Sequence, residues 1–140
     1  MKPCLVFLAA FVAVGCSSPS DEVVRPSVEF ELGINRLQSE DRFVITPADH
    51  GSVAVKGYFR TPCSPYEATA AVTVDNSVVT VSVIGRDEDS WCPKDVVSDL
   101  GYIATIRHLD AGSYVLRVVH RWADANWPTE LAHEAELTLD

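Results

Sequence analysis

A cysteine at residue 16 stands at the border between two very different parts of the chain. Before it, residues 5–14 form an apolar run behind a single positive charge at Lys2. That run is too short to span a bilayer as a stable helix. In the "AVGC" that leads up to the border, two small residues flank a valine, which is the spacing of a signal-peptide cleavage site. The pattern predicts that residues 1–15 are an export signal and that Cys16 begins the mature chain.

This "AVGC" resembles the lipobox of bacterial lipoproteins, although alanine occupies the position where that family most often has leucine. The resemblance implies a diacylglycerol on the thiol of Cys16, cleavage before it, and palmitate on the new amino group. Two or more acyl chains anchor a protein stably. Serines follow the cysteine, which resembles the default for delivery to the outer membrane in two-membraned bacteria. The alternative is ordinary signal cleavage, which would leave a free thiol.

Two further cysteines, Cys63 and Cys92, remain once Cys4 of the signal and Cys16 are set aside. In an exported chain an even remainder favours a disulfide. A hairpin predicted between them, over residues 68–85, would bring both cysteines to the same end of the fold. The sequence therefore predicts a Cys63–Cys92 disulfide.

Two histidines, His120 and His133, lie on the inward faces of the last two strands that the alternation predicts. We expect them to face each other directly. A register slipped by two residues would instead put His133 against Val118. The preferred register is the one in which each apolar residue meets an apolar neighbour: Leu116 with Leu137, and Val118 with Ala135.

Facing imidazoles could bind a transition metal, with Asp124 or Glu134 as a third ligand. Glu134 should point to the opposite face of its strand, which weakens it as a ligand. The alternative is that His120 and His133 satisfy buried polar groups beneath the nearby tryptophans. Of the two hypotheses, a weak metal site makes the more specific claim.

Three tryptophans, Trp91, Trp122 and Trp127, fall in or beside predicted loops. Aromatic side chains in such loops can stack on sugar rings or anchor a protein interface. The alternative is that they close the open end of the fold. They are candidate binding residues for a protein or a glycan.

The sequence lacks G-x-S-x-G, H-E-x-x-H, a P-loop and C-x-x-C. A small exported domain without such motifs is more often a binding or structural module than an enzyme. We therefore expect no catalytic residues and no cofactor.

Strict alternation of apolar and polar residues recurs from residue 28 to the end of the chain. The clearest hairpin is "ATAAVTVDNSVVTVSVIG", where a two-residue turn at Asp75 and Asn76 would gather the apolar side chains on one face. That turn pairs Val72 with Val79, Ala70 with Val81, and Ala68 with Val83. Residues 33–42 are ambiguous between helix and loop.

The stretch "HLDAGSY", residues 108–114, resembles the L-x-P-G-x-Y turn of immunoglobulin-like and prealbumin-like bacterial sandwich domains, with Ala111 in place of proline. The resemblance implies a sandwich and says almost nothing about activity. Together with the alternation it predicts an all-β, antiparallel, immunoglobulin-like sandwich of seven to eight strands. The expected domains are the signal (1–15), the lipidated cysteine and tether (16–27) and the sandwich (28–140).

The net charge of the mature chain limits the classes of partner that it can bind. Cleavage would remove Lys2 and no acid, which leaves 20 acidic side chains against 10 basic ones. Such a domain should bind neither nucleic acid nor anionic lipid by electrostatics. The sequence predicts a lipid-anchored protein of the cell envelope, a non-catalytic binding or structural module. The alternative is a small envelope enzyme or metal-binding protein that uses the end near His120, Trp122 and His133.

Overall fold

The computed structural model describes residues 24–33, 42–62, 66–87, 98–124 and 126–140. Within these ranges the chain forms β-strands and no helix, so no helix there is long and apolar enough to cross a bilayer. The all-β prediction is confirmed. The strands are β1 (Ser27–Leu32), β2 (Phe43–Ala48), β3 (Ser52–Thr61), β4 (Tyr66–Asp75), β5 (Val78–Asp87), β6 (Ser98–Arg107), β7 (Gly112–Trp122) and β8 (Glu130–Leu139).

The strands form two four-stranded sheets, ordered β1-β6-β3-β2 and β4-β5-β7-β8. All pairs are antiparallel except β5 with β7, which run parallel. Between β5 and β7 the chain crosses to the other sheet, forms β6 there and then returns. The direction of the chain reverses at each crossing, so β7 runs in the same direction as β5. The sandwich prediction is confirmed, with one parallel pair that alternation does not reveal.

The inward face of each sheet is the one that the alternation predicts. Period-two spacing sends every second side chain into the space between the sheets, where apolar contact is favourable. The fully buried aliphatic residues are Val53, Val55, Val79, Val81, Val83, Ala104, Ile106, Leu116 and Val118.

The β4–β5 hairpin has the predicted faces but a different register. Its two-residue turn is Asn76–Ser77, one residue later than expected, and Val72 lies opposite Val81. Asn76 has a φ of 52°, a left-handed conformation that asparagine tolerates better than most residues. Moving the turn by one residue shifts the pairing by two, so each side chain keeps its face.

The β7–β8 hairpin contradicts the predicted facing of His120 and His133. Val118 lies opposite His133, and beyond a bulge between Val118 and Val119 His120 lies opposite Glu130. A two-residue slip preserves the apolar faces, so the alternation could not exclude it. The bulge also reverses the facing of the residues beyond it. Leu131, which unbroken alternation with His133 and Ala135 would point inward, is 56% exposed.

The turn after β6 holds the β2–β3 hairpin in place. The Tyr114 hydroxyl donates to the Asp110 carbonyl oxygen at 3.0 Å, and Leu109 N–H donates to the Gly51 carbonyl oxygen at 3.0 Å. Gly51 has a φ of 65°, and a Cβ there would lie 2.0 Å from the Leu109 carbonyl oxygen. Glycine is therefore required at this contact.

The sandwich has two distinct ends. Ser27, where β1 begins, pairs with Arg107, whereas the last residue of β3, Thr61, pairs with Ser98 at the other end of β6. We call the first the tether end and the second the crossover end. Trp122, the last residue of β7, also lies at the crossover end, because its indole N–H reaches the Arg60 carbonyl oxygen.

Candidate functional site

A pocket of about 270 Å³ opens at the crossover end. Two of the three tryptophans singled out in the sequence lie in its wall. Its lining residues are Arg60, Trp122, Trp127, Pro128, Thr129 and Glu130.

Trp122 is the fixed wall of the pocket. It is 9% exposed and its ring stacks on Phe59, with centroids 5.3 Å apart. Its indole N–H donates to the Arg60 carbonyl oxygen at 2.7 Å, a bond that joins β7 to β3 in the other sheet. The indole donor is thereby used, so Trp122 offers the pocket only apolar surface.

Trp127 is the second wall. It lies in the connection between β7 and β8, is partly exposed, and meets Trp122 edge-on, with centroids 5.2 Å apart and planes at 65°. Edge-to-face contact is a favourable geometry for aromatic rings. The two indoles form a corner, and Trp127 is the more accessible of the pair.

Two charged residues of opposite sign complete the pocket, and sequence reasoning missed both. Arg60 is an exposed residue of β3 whose Nε lies 3.6 Å from the Asp99 carboxylate. Glu130 begins β8 and is exposed. Nothing in the alternation singled them out, since charged residues at strand ends are ordinary in sequence.

Beneath the pocket lies a buried polar pair. His120 is 1% exposed, and its Nε2 shares a hydrogen bond with the Tyr102 hydroxyl at 3.1 Å. Phe59 packs edge-on against the imidazole, with centroids 5.0 Å apart. The predicted alternative that His120 satisfies a buried polar group beneath the tryptophans is what the structure shows.

Burial sets the ionisation of this pair. Desolvation, with a smaller contribution from the positive charge of Arg42, lowers the pKa of His120 to about 4. Desolvation likewise raises the pKa of Tyr102. At neutral pH both side chains are uncharged, and the hydrogen bond joins two neutral groups.

Gly85 makes room for the aromatic cluster under the pocket. It pairs with Trp122 across the parallel strands. A Cβ at this position would lie 2.4 Å from both the Phe59 and the Tyr66 rings. Any side chain there would displace the Phe59 ring, on which Trp122 stacks.

His133 is not part of a metal site with His120. Its ring stacks on Phe43, with centroids 4.9 Å apart, and Phe43 also lies 6.1 Å from the His120 ring. Within the residues that the structure describes, no three His, Cys, Asp or Glu side chains are grouped to hold a metal ion. The metal hypothesis depended on the facing register and loses its basis with it.

The other predicted site residues, Cys16, Cys63, Cys92 and Trp91, lie outside the described residues. The chain matches no protein-family model, no curated protein and no solved structure.

We expect His120 to make the fold sensitive to acid. Between pH 6.5 and about pH 4 the unfolded chain binds a proton at His120 that the folded protein does not. Stability is therefore lost as the pH falls through this window, by about 2 kcal/mol between pH 7.5 and pH 5. His120→Gln, which retains a polar partner for Tyr102, should lose about 2 kcal/mol less over the same range.

The free energy of unfolding of the wild type and of His120→Gln is measured by urea unfolding at several pH values from 7.5 to 5. His108→Asn is the matched control, because His108 is exposed, and its stability should change with pH as the wild type does. Parallel pH profiles for wild type and His120→Gln would contradict the assignment.

Proposed function

We propose that the protein is an exported, lipid-anchored and non-catalytic module of the cell envelope that binds its ligand in the pocket at the crossover end. The observation that carries this proposal is the position of the pocket. Ser27, where the tether would join the domain, lies at the opposite end of the sandwich. A domain held through Cys16 would present the pocket away from the membrane.

The chemistry of the site supports binding over catalysis. His120, the titratable group beneath the pocket, is buried, uncharged at neutral pH and already hydrogen-bonded to Tyr102. It is not placed to take a proton from a ligand, since a general base must reach the proton it abstracts. The accessible groups are an indole, a guanidinium, a hydroxyl and a carboxylate, which suit recognition.

Replacement of Cys16 by serine should release the protein from the membrane fraction. The change removes the thiol that would carry the diacylglycerol, and an acidic domain has no electrostatic hold on anionic lipid. Fractionation of cells followed by immunoblotting measures the result. Ser18→Ala is the control and should stay with the membrane. Cys16→Ser protein that has lost residues 1–15 and still sediments with the membrane would contradict the anchor.

We also propose a Cys63–Cys92 disulfide. Tyr66, the first residue of β4, lies opposite Asp87, the last residue of β5. Cys63 precedes Tyr66 by three residues and Cys92 follows Asp87 by five. The two cysteines therefore belong to chain segments that leave the same end of one hairpin, beside the strands that carry the pocket.

Closing this loop of 29 residues (92 − 63 = 29) should stabilise the fold by about 3.5 kcal/mol on the chain-entropy model. Protein taken from its native envelope without reductant should show no thiol that reacts with maleimide after denaturation, provided Cys16 is acylated. Cys63→Ser should expose one reactive thiol, at Cys92, and lower the unfolding midpoint. Two reactive thiols in the unreduced wild type would refute the disulfide.

The binding role is tested by site-specific crosslinking in living cells. A benzophenone amino acid at Thr129, in the pocket, should yield a crosslinked product, since benzophenone inserts into C–H bonds of proteins and glycans alike. Thr73 is the matched control, because it is also exposed but lies near the β4–β5 turn, at the opposite end of the sandwich from the pocket. Trp127→Ala should abolish the product at Thr129. Equal products at both positions, or none at either, would contradict the pocket as the binding site.

A further inference from the structure

We infer that the ligand of this pocket is one neutral sugar ring of an envelope glycan, an inference that rests on the proposed function. Three features of the pocket support a sugar: its size, its walls and the charges at its rim.

The size fits one ring. At about 270 Å³ the pocket falls just below the roughly 300–1,000 Å³ of sites for drug-sized ligands. A pocket of this size accommodates one group of about ten to fifteen non-hydrogen atoms. A monosaccharide or a terminal sugar is of this size, whereas a longer unit would extend beyond the pocket.

The walls offer flat apolar surface without an indole donor from Trp122. The indole N–H of Trp122 already donates to the Arg60 carbonyl oxygen. The ring of Trp127 lies at 65° to the Trp122 ring and is partly exposed. A sugar ring has one face of C–H groups that can lie against an indole, and its hydroxyls project sideways. The corner between the two rings allows the C–H face to rest on Trp127 while the ring edge meets Trp122.

The polar groups of the pocket can donate hydrogen bonds to sugar hydroxyls and can also accept hydrogen bonds from them. Arg60 can only donate, Glu130 can only accept, and the hydroxyl of Thr129 can do both. A hydroxyl-bearing ring can satisfy all three at once. Because Arg60 and Glu130 carry opposite charges, a carboxylated ring would be attracted by Arg60 but repelled by Glu130, and an aminated ring would be attracted by Glu130 but repelled by Arg60. Neither charged ring gains from the pair as a whole, whereas a neutral ring meets no like charge. The pair therefore favours a neutral ring.

The carboxylate of Glu130 disfavours a protein domain as the occupant. The centre of a protein interface is depleted of acidic residues, because removing a carboxylate from water is costly. A protein that covered this pocket would desolvate Glu130. A sugar leaves part of that side chain in water and supplies hydroxyl partners for the rest.

The test is a titration of the mature protein, purified from the membrane fraction in a detergent without a sugar headgroup. The neutral probes are glucose, galactose and N-acetylglucosamine, and the charged probes are glucuronate and glucosamine. Tryptophan fluorescence and NMR amide shifts report binding. At least one neutral sugar should bind with a Kd of about 1 mM, the strength expected of so small a ligand. It should bind at least about fivefold more tightly than either charged probe.

Variants place the binding in the pocket. Trp127→Ala and Arg60→Gln should each weaken the neutral sugar at least about tenfold. Arg117→Gln is the matched control, because Arg117 is also an exposed arginine on a strand, paired with Glu134 and not part of the pocket lining. Its Kd should equal that of the wild type. The unfolding midpoint of each variant, close to the wild-type value, shows that lost binding is not lost folding.

The outcomes separate this inference from the proposed function. No binding of any neutral sugar, binding unchanged by Trp127→Ala, or tighter binding of a charged probe overturns the inference. If the Thr129 crosslink still depends on Trp127 in that case, the pocket binds another class of ligand and only the sugar is wrong. If that crosslink also fails, the proposed function falls as well.

Discussion

Two polar contacts cross the sandwich and fix the end of β7 against the opposite sheet. The hydroxyl of Tyr102 on β6 meets His120, and the indole N–H of Trp122 meets the carbonyl oxygen of Arg60 on β3. Apolar packing holds two sheets together but tolerates sliding, because the hydrophobic effect is non-directional. A buried polar group that loses its partner costs about 1–3 kcal/mol. These contacts therefore penalise any sliding that separates β7 from the other sheet.

The geometry of the pocket depends on these two polar contacts. His120 and Trp122 are alternate inward residues of β7, and Phe59, on β3 of the other sheet, packs against both of their rings. Because Trp122 stacks on Phe59 and is hydrogen-bonded to Arg60, Trp127 has a firm surface to pack on. The bulge in β8 helps to form the remaining wall, because it sets Glu130 opposite His120, where unbroken pairing beyond Val118 and His133 would set Leu131. A site built in this way loses little freedom when it binds, which favours affinity.

The sequence predicts the faces of the strands well and their registers poorly, for one physical reason. Alternation has a period of two, so it identifies which residues point inward but is blind to a shift of two residues. Both hairpins show this, since Val72 faces Val81 instead of Val79, and His133 faces Val118 instead of His120. The bulge and the parallel β5–β7 pair depend on contacts between distant segments and leave no periodic signal.

The sequence likewise predicts some residues of the candidate site and misses others. The tryptophans stood out because large aromatic residues are rare and costly to expose, and two of them do line the pocket. Arg60 and Glu130 did not stand out, because a charged residue at a strand end is the ordinary case. Their role depends on the tertiary structure, which brings β3 and β8 to the same end.

The proposed anchor gives the pocket a direction as well as a place. The 11 residues from 16 to 26 can span at most about 38 Å when fully extended, and β7, with 11 residues, adds about 35 Å from the tether end to the crossover end. The pocket of a protein anchored at Cys16 can thus lie up to about 70 Å from the bilayer. The excess of acidic side chains acts in the same sense, since anionic lipid repels the domain. Tether, fold and charge all favour a ligand on the side of the domain that faces away from the anchoring membrane, where a neutral polymer could approach the acidic domain without repulsion.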